Sequence, residues 1–511
     1  MMTAYTKTNQ EQWEINNYIY QDGDEFSLGT QLLSCAPDTD EFLIKKEMLI
    51  KMKLRHRGIT KGKKLTLDCV TYAKYLAENR IEAIIVNEKL LLYNLKCGTF
   101  DSVPKEFILK IFKDILEECT TNIWAVSLEC QYYQAFLYEL KSYKKLIPNA
   151  DRLVFHNGTF NIYKMTLYKH NPKNLALSSL PYNYRSEANC ELFLSVLSGI
   201  FNGDKEVIAS FQEMMGYLLY YGNDYPIQKF FIFYGSGSNG KSVLTRVIRN
   251  VLGAENCSAT ALDDLQERFG KQSIYDKYVN ISPEREQKKM FNTAVIKSVT
   301  GGDLVEVEKK YEKAYATSIY TKFIVCCNQP IQTDDNSMGY FRRLHIFKFE
   351  NQYIELKSGE ERKEGVLYMD KNLDMKLEQE TQGICNWALK GLQRLINNNW
   401  EMSPCKAISD LQMQYFLEAN PVNHFLKACI TKTDTNSEIM TARLFSSYKT
   451  WAEKNDISQG AFNTPKTFHA KIREYLRINN LSTNTKKVGG FDYYVGIELN
   501  KDWIHKTKYK L

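Results

Sequence analysis

Gly235-Ser-Gly-Ser-Asn-Gly-Lys-Ser242 lies between two stretches of opposite character, and that junction decides the fold. Before it, Phe230-Phe-Ile-Phe-Tyr234 is a short unbroken apolar run, which reads as a buried parallel strand. After it, Val243, Leu244, Val247, Ile248, Val251 and Leu252 recur at helical spacing and Gly253 follows, which reads as a helix with a glycine stop. A glycine-rich turn between strand and helix lets backbone N–H groups surround a polyphosphate, and the helix N-terminus adds partial positive charge. Gly235, Ser236, Gly237, Ser238, Asn239 and Gly240 would form the cradle, Lys241 would reach the β- and γ-phosphates, and Ser242 would ligate Mg²⁺.

At 511 residues the chain exceeds the roughly 250–300 at which a single core stops growing, so several domains are expected. Hydrophobic residues at 44% and charged residues at 25% are ordinary for a globular protein, and no apolar stretch approaches the roughly 20 residues that span a bilayer. The start, Met1-Met-Thr-Ala-Tyr-Thr-Lys7, lacks an apolar signal core, so the protein is expected to stay where it is made. Twelve cysteines without a CxxC pair read as reduced core residues rather than zinc ligands. The net charge of +7 is unevenly spread. Residues 459–511 hold ten Lys or Arg against four Asp or Glu, and Lys45 to Lys64 holds nine against Glu47 alone. Either basic segment suits nucleic-acid phosphate, or is simply a solvated face.

Downstream acids and arginines narrow the chemistry. The run Asp276-Lys-Tyr-Val-Asn-Ile-Ser282 reads as a strand followed by Glu284 and Glu286. A carboxylate at a strand end opposite the loop holds Mg²⁺ and polarises the attacking water; Glu284 is the choice, with Glu286 in reserve. The strand Lys322-Phe-Ile-Val-Cys-Cys327 ends in Asn328, whose amide can orient water at a γ-phosphate. In Gly339-Tyr-Phe-Arg-Arg-Leu344, Arg343, ahead of Arg342, is the choice for stabilising charge on a phosphate held by a neighbouring subunit. Near the end, Thr464 caps a helix with Pro465 at its first position and Phe468, Ile472, Tyr475 and Leu476 as its stripe. Lys466, Lys471, Arg473 and Arg477 occupy its other faces, and a hairpin-like segment carrying Lys486 and Lys487 follows. Helix then basic hairpin is a winged-helix pattern suited to duplex DNA. The Asp38-Thr-Asp40 pair lacks the partner acids of a nucleotidyl-transfer site and reads as turn chemistry.

The order of these motifs, joined by Asn280-Ile-Ser-Pro-Glu284, Val299-Thr-Gly-Gly-Asp303, His156-Asn-Gly-Thr-Phe160, Met215-Gly-Tyr-Leu218 and Gly383-Ile-Cys-Asn-Trp-Ala-Leu-Lys-Gly391, resembles the D5-type superfamily 3 helicases of viruses and mobile elements. Within that family it looks most like the self-loading replicative helicases of staphylococcal pathogenicity islands and chromosomal cassettes. The resemblance implies a multidomain α/β protein with an AAA+ core, a hexameric ring that hydrolyses ATP with Mg²⁺ at subunit interfaces and moves 3′ to 5′ on DNA, acting as a replication initiator in the bacterial cytoplasm. It also implies a DNA-contacting hairpin beginning at Asp303 and returning through Thr317, with Lys309, Lys310 and Lys313 on phosphate and Tyr311 packing on sugar or base. The expected layout is an α/β or α+β module over 1–120, a helical D5-type N-terminal domain over 121–229, the ATPase core over 230–355, a helical lid over 356–405 and a winged-helix-like domain over 406–511. The alternatives are an ATP-switched DNA-binding regulator without unwinding and a bifunctional primase-helicase.

Overall fold

The run Phe230–Tyr234 forms the strand predicted for it, with Phe230, Phe231, Ile232 and Phe233 fully buried. The structure, a computed structural model, describes residues 14–500 except 38, 63, 121–122, 145, 147–148, 223, 284–292, 309–313, 330, 332–334, 336, 356–366, 420, 433–436, 455–463 and 479–484. Helices α1 (Glu191–Ile200) and α2 (Lys205–Leu219) lead into strand β1 (Phe230–Tyr234). Then come α3 (Lys241–Leu252), β2 (Cys257–Ser258), β3 (Val279–Ser282), α4 (Ala294–Gly301), β4 (Val305–Val307), β5 (Tyr315–Thr317), β6 (Lys322–Cys327) and β7 (Leu344–Lys348). A ribbon of β8 (Tyr353–Ile354) and β9 (Leu367–Tyr368) precedes α5 (Leu373–Gln379) and α6 (Thr381–Asn397).

Strands β2, β3, β6, β1 and β7 form, in that spatial order, one parallel sheet. Parallel strands need crossovers that cover both faces, which is why β1 and β6 read as continuous apolar runs. Strands β4 and β5 pair antiparallel, Val305 opposite Thr317, so the expected hairpin has paired arms.

The largest core extends from Leu153 to Leu411 and includes this sheet and its helices. Helices α2 and α6 pack closely against each other, and glycines permit it. A Cβ on Gly216 would lie 2.3 Å from Leu392 N, and one on Gly391 would lie 2.2 Å from Gln212 O. Across the same seam the buried Glu213 accepts from Arg394 Nε at 2.5 Å, Ser403 Oγ at 2.6 Å and Ser403 N at 2.8 Å. Lys322, at the start of β6, is also buried. Its amine donates to Tyr220 O and stands 5.2, 5.5 and 5.7 Å from the rings of Tyr217, Tyr220 and Tyr221. Burial pushes that amine down to about 7.

A second core runs from Tyr18 to Phe136 and packs helices against a four-stranded sheet of 99–102, 89–94, 83–86 and 141–143. Inside it Arg57 bridges Glu25 and Glu118, and Arg80 shares Glu118. This unit continues past the boundary read at 120, because Tyr132 and Phe136 of helix Glu129–Glu139 pack with Phe112 in one core. Residues 152–168, read as part of a helical segment, form a three-stranded antiparallel sheet. A third core, Val422 to Ile497, holds helices Pro421–Cys429, Thr441–Lys454 and Pro465–Ile478 around Trp451. The helix Lys406–Ala419, read as opening that last domain, attaches first to the sheet unit: Ile408 and Leu411 lie in its core and Gln412 donates to Phe341 O and Leu344 O. The twelve cysteines are all free, and only four of them are buried. No helix among the described residues is long and apolar enough to cross a membrane.

Candidate functional site

The loop 235–242 emerges at the carboxyl edge of the sheet, between the ends of β6 and β7, since Tyr234 is in register with Cys327 on one side and Lys348 on the other. Ligands of open parallel sheets sit at this edge, where crossing connections leave a crevice. Gly235 N donates to Cys327 O at 3.2 Å, and a Cβ there would lie 2.3 Å from Phe349 O. Gly240 has φ 93°, a left-handed conformation that glycine adopts without cost, and a Cβ there would meet Ile200 of α1 at 2.8 Å. Behind the loop the buried Asn239 donates to Phe349 O at 3.2 Å, and Tyr353 N donates to Ser238 O at 2.8 Å.

Helix α3 starts at Lys241 with no side-chain cap and no acidic residue in its first turn, so its leading N–H groups face the loop. That arrangement favours an anion. Lys241 is buried, and its amine donates to Gly235 O, to Ser236 O at 3.1 Å and to Asn328 Oδ1 at 2.7 Å. Asn328 itself is exposed at the end of β6. The structure thus brings together Lys241 and Asn328, which lie 87 residues apart in sequence. Ser236, Gly237, Ser238 and Ser242 face solvent along the same edge. Glu284, Glu286, Asp38, Lys309, Lys310, Lys313 and Tyr311 lie outside the described residues.

The two arginines sit at the opposite end of the sheet, where Phe230 N donates to Arg343 O at 2.8 Å. Five residues of β1 separate them from the loop, about 16 Å at strand rise. Arg343, favoured from the sequence for reaching a neighbouring subunit, is only 8% exposed and points inward. Its Nε donates to Thr300 Oγ1 at 3.0 Å and its Nη1 to Gly339 O at 2.5 Å, which anchors α4 to the turn before β7. Burial, then the charge of Arg342, pushes its guanidinium below its ordinary value. Arg342 is exposed and donates to Gln228 Oε1 at 3.1 Å, while Lys229 Nζ donates to Arg342 O at 2.6 Å. Burial and Arg342 together push the Lys229 amine down. Asp335 pairs with Lys297 at 2.7 Å; burial raises its carboxyl, but bonds from Lys297, Ser337 and Thr293 outweigh that and hold it well below the usual range.

In the last unit Thr464 Oγ1 accepts from Thr467 N at 3.3 Å, capping helix Pro465–Ile478, and Thr485–Val488 pairs with Phe491–Val495 as a hairpin. Lys466, Arg473, Arg477, Lys486 and Lys487 are exposed. Lys471 does not join them: it is buried and paired with Glu474 at 2.8 Å, because its position borders the apolar stripe beside Ile472. Lys486 pairs with Glu438 at 2.9 Å. Thr39 caps helix Asp40–His56, so Asp40 opens a helix instead of sitting in the turn read for it.

A parallel α/β sheet with a glycine-rich loop at its carboxyl edge, a lysine held inside that loop and an asparagine on the next strand is the class of site that fold and geometry define. Against known proteins, residues 5–202 match the family described as "D5 N terminal like", and residues 233–343 match the "Family of unknown function (DUF5906)". The first match begins in the unit that the sequence reading separated from the D5-type segment, so the similarity extends over that unit as well. The chain is 22% identical over 417 residues to "Putative helicase L207/L206" of Acanthamoeba polyphaga mimivirus, covering 75% of this chain and 42% of that protein. It is 21% identical over 347 residues to "Putative helicase 121R" of Invertebrate iridescent virus 3, covering 62% of this chain and 36% of that one. The chain therefore spans well under half the length of these curated relatives. Among solved structures, the apo structure of the NrS-1 C terminal region (305-718) aligns over 82% of this chain and 96% of that chain, at 15% identity and a TM-score of 0.45. The family match and the viral relatives support kinship with D5-type helicases.

Proposed function

We propose that the chain is an ATP-dependent DNA helicase of superfamily 3 with an AAA+ core, acting in replication initiation for a mobile element in the bacterial cytoplasm. The observation that carries the reading is the Lys241–Asn328 bond at the mouth of the glycine-rich loop. Lys241 suits the β- and γ-phosphates of ATP, Ser242 suits Mg²⁺, and Asn328 is near enough to orient the attacking water. Glu284 or Glu286 would supply the carboxylate. The separation of both arginines from their own loop supports hydrolysis across a subunit boundary, since neither spans the sheet to reach it. Arg342, exposed beside Lys229, is the one free to act on a neighbour's phosphate, while Arg343 holds the turn that presents it. A hexameric ring moving 3′ to 5′ follows for a D5-type helicase, with the β4–β5 hairpin and its Lys309, Lys310 and Lys313 tracking one strand. The C-terminal helix and hairpin, through Lys466, Arg473, Arg477 and Lys487, would grip duplex DNA as a winged helix.

The test is strand displacement on forked DNA by the parent and by Lys241→Ala, with ATP turnover measured in parallel. Loss of both activities in the variant is expected. Robust ATP hydrolysis by the parent with no unwinding at any fork geometry would leave an ATP-switched regulator instead, and nucleotide incorporation on a bare template would make the protein a primase-helicase. Mixing Arg342→Ala with Lys241→Ala protein should partly restore turnover, because each lends the half-site the other lacks; no recovery at any ratio argues against a shared site.

A further inference from the structure

The chain enters helix Gly23–Leu33 through Asp22 and leaves helix Asp40–His56 at His56, and the fold brings those two helix ends together. Asp22 caps the first helix: its Oδ1 accepts from Asp24 N at 3.0 Å and Glu25 N at 2.9 Å, while its Oδ2 lies toward His56. Glu25 follows in the first turn. The side chains of Asp22 and Glu25 are only 6% and 7% exposed, so both carboxylates are held out of water. His56 Nδ1 stands 3.4 Å from Asp22 Oδ2 and 3.4 Å from Glu25 Oε1, yet this buried atom makes no hydrogen bond among the described residues. The 28% of the His56 side chain that reaches solvent therefore belongs to the rest of the ring.

Charge and geometry point the same way. Arg57 bridges Glu25 and Glu118 and Arg80 shares Glu118, so with Asp22 the cluster holds three carboxylates against two guanidiniums. One negative charge is left over in a buried place, where an unbalanced charge is costly. A neutral imidazole with its proton on Nε2 sets the Nδ1 lone pair against the two oxygens, a repulsive arrangement unless a cation is shared among them. Zinc bound to an imidazole nitrogen and a carboxylate oxygen, each at about 2.0–2.2 Å, sets those two atoms about 3.3–3.4 Å apart at the tetrahedral angle. That is the spacing of both pairs, and all three donor atoms lie within 4.8 Å of one another. We propose that Asp22 Oδ2, Glu25 Oε1 and His56 Nδ1 bind a divalent transition-metal ion, zinc by donor set and spacing, which fastens the two helix ends together. Arg57 Nη1 at 2.5 Å and Tyr75 OH at 3.3 Å donate to Glu25 Oε1, and the two backbone N–H groups hold Asp22, so the ligands are oriented from outside. Three protein ligands leave a fourth position for water, and the solvent-facing side of the His56 ring gives the ion a way in. None of these residues belongs to the glycine-rich loop, so the site stands apart from the ATPase reading.

The experiment is titration of the full chain, stripped with a chelator and kept free of nucleotide, with Co²⁺ as a spectroscopic probe and Zn²⁺ as competitor. The parent is compared with Asp22→Asn and His56→Ala. Asparagine caps a helix as well as aspartate does, so Asp22→Asn removes the ligand's charge and keeps the cap; matching circular dichroism shows that each variant folds. The parent should bind one equivalent of cobalt with the visible d–d bands of a tetrahedral nitrogen and oxygen site and no near-ultraviolet thiolate-to-cobalt band. Zinc should displace the cobalt and raise the unfolding midpoint. Each variant should weaken cobalt binding by roughly a hundredfold or more and lose the midpoint shift. Variants that bind as tightly as the parent overturn the proposal, and so does a thiolate band, since cysteines then hold the ion. A parent that binds no cobalt overturns it as well; if acid then stabilises the parent and not His56→Ala, a proton on His56 is the cation between the carboxylates.

Discussion

Gly391→Ala adds one methyl group where α6 meets α2, and the structure gives the sign of its effect. Alanine is the better helix former by about 1 kcal/mol, so propensity alone predicts stabilisation. The added Cβ, however, would stand 2.2 Å from the Gln212 carbonyl oxygen, more than 1 Å inside ordinary contact, and that atom is helix backbone that no rotamer change removes. Forcing the helices apart costs roughly 1–3 kcal/mol in lost packing. It also stretches the Arg394–Glu213 pair across the same seam, where a buried charge left short of partners costs roughly 3–5 kcal/mol when wholly released. A net loss of about 2–4 kcal/mol follows, a fall in Tm of about 4–16 °C for a unit of this size. Gly216→Ala should behave alike, with its Cβ 2.3 Å from Leu392 N, and the double variant should lose less than the sum because the first methyl already opens the gap. Gly29→Ala is the control: nothing lies within 4 Å of a Cβ there, so propensity acts alone and stability should rise by about 0.5–1 kcal/mol. Urea unfolding, with hydrogen exchange followed on peptides from 205–219 and 381–397, measures each. Gly391→Ala protein as stable as the parent, with equal protection of those peptides, would refute the reasoning.

Three further outcomes are expected. Lys322 has a folded value of about 7 against 10.5 unfolded, so the unfolded chain binds more protons between those limits and stability rises with pH across that window, by up to about 1.4 kcal/mol per unit; Lys322→Met should remove that part of the slope in urea titrations at pH 7, 8 and 9, and an unchanged slope would exclude the buried amine as its source. Arg394→Met leaves Glu213 buried and short of its cation, and should destabilise by about 3–5 kcal/mol in chemical denaturation, whereas Lys371→Met, which breaks a fully exposed pair, should leave the unfolding midpoint where it is. If Asn328 orients the attacking water as proposed, Asn328→Ala should lower ATP turnover about a hundredfold while a fluorescent ATP analogue still binds.

The strand, loop and helix at 230–252 were legible because three signals coincide there: an apolar run, a glycine-rich break and a helical stripe whose Leu244, Val247, Ile248, Val251 and Leu252 are all buried. The same holds for β6 and for the helix capped by Thr464. What escaped the sequence escaped for physical reasons. Strands of three or four residues at 152–168 are too short to display a period, so only their turns were visible. Arg342 and Arg343 are adjacent just before a strand, and neighbouring side chains there take opposite sides; composition is blind to which one turns inward to Thr300. Lys471 sits at the margin of an apolar stripe, where a one-position shift in the helix's seating decides between burial and solvent. The boundary at 120 failed because periodicity shows that a helix has an apolar face without showing which core receives it. The glycines of Met215-Gly-Tyr-Leu218 and Gly383 to Gly391 were noted as motifs, and only the structure explains them as close approaches, Gly216 and Gly391 between helices and Gly383 against the backbone of Asn189.

Glu380, at the junction of α5 and α6, accepts from Leu192 N at 3.0 Å and Phe193 N at 2.8 Å, capping the start of α1 from 188 residues away. The other end of α1 carries Ile200, which presses on Gly240 at the base of the glycine-rich loop, and Asn351 grips Gly199 O at 2.6 Å beside it. Helix α1 is therefore a ten-residue strut, held by the α5–α6 junction at one end and standing against the loop at the other. Residues 380 and 240, far apart in sequence, are thus tied to the two ends of one ten-residue helix, so the α5–α6 junction and the glycine-rich loop share a single structural support.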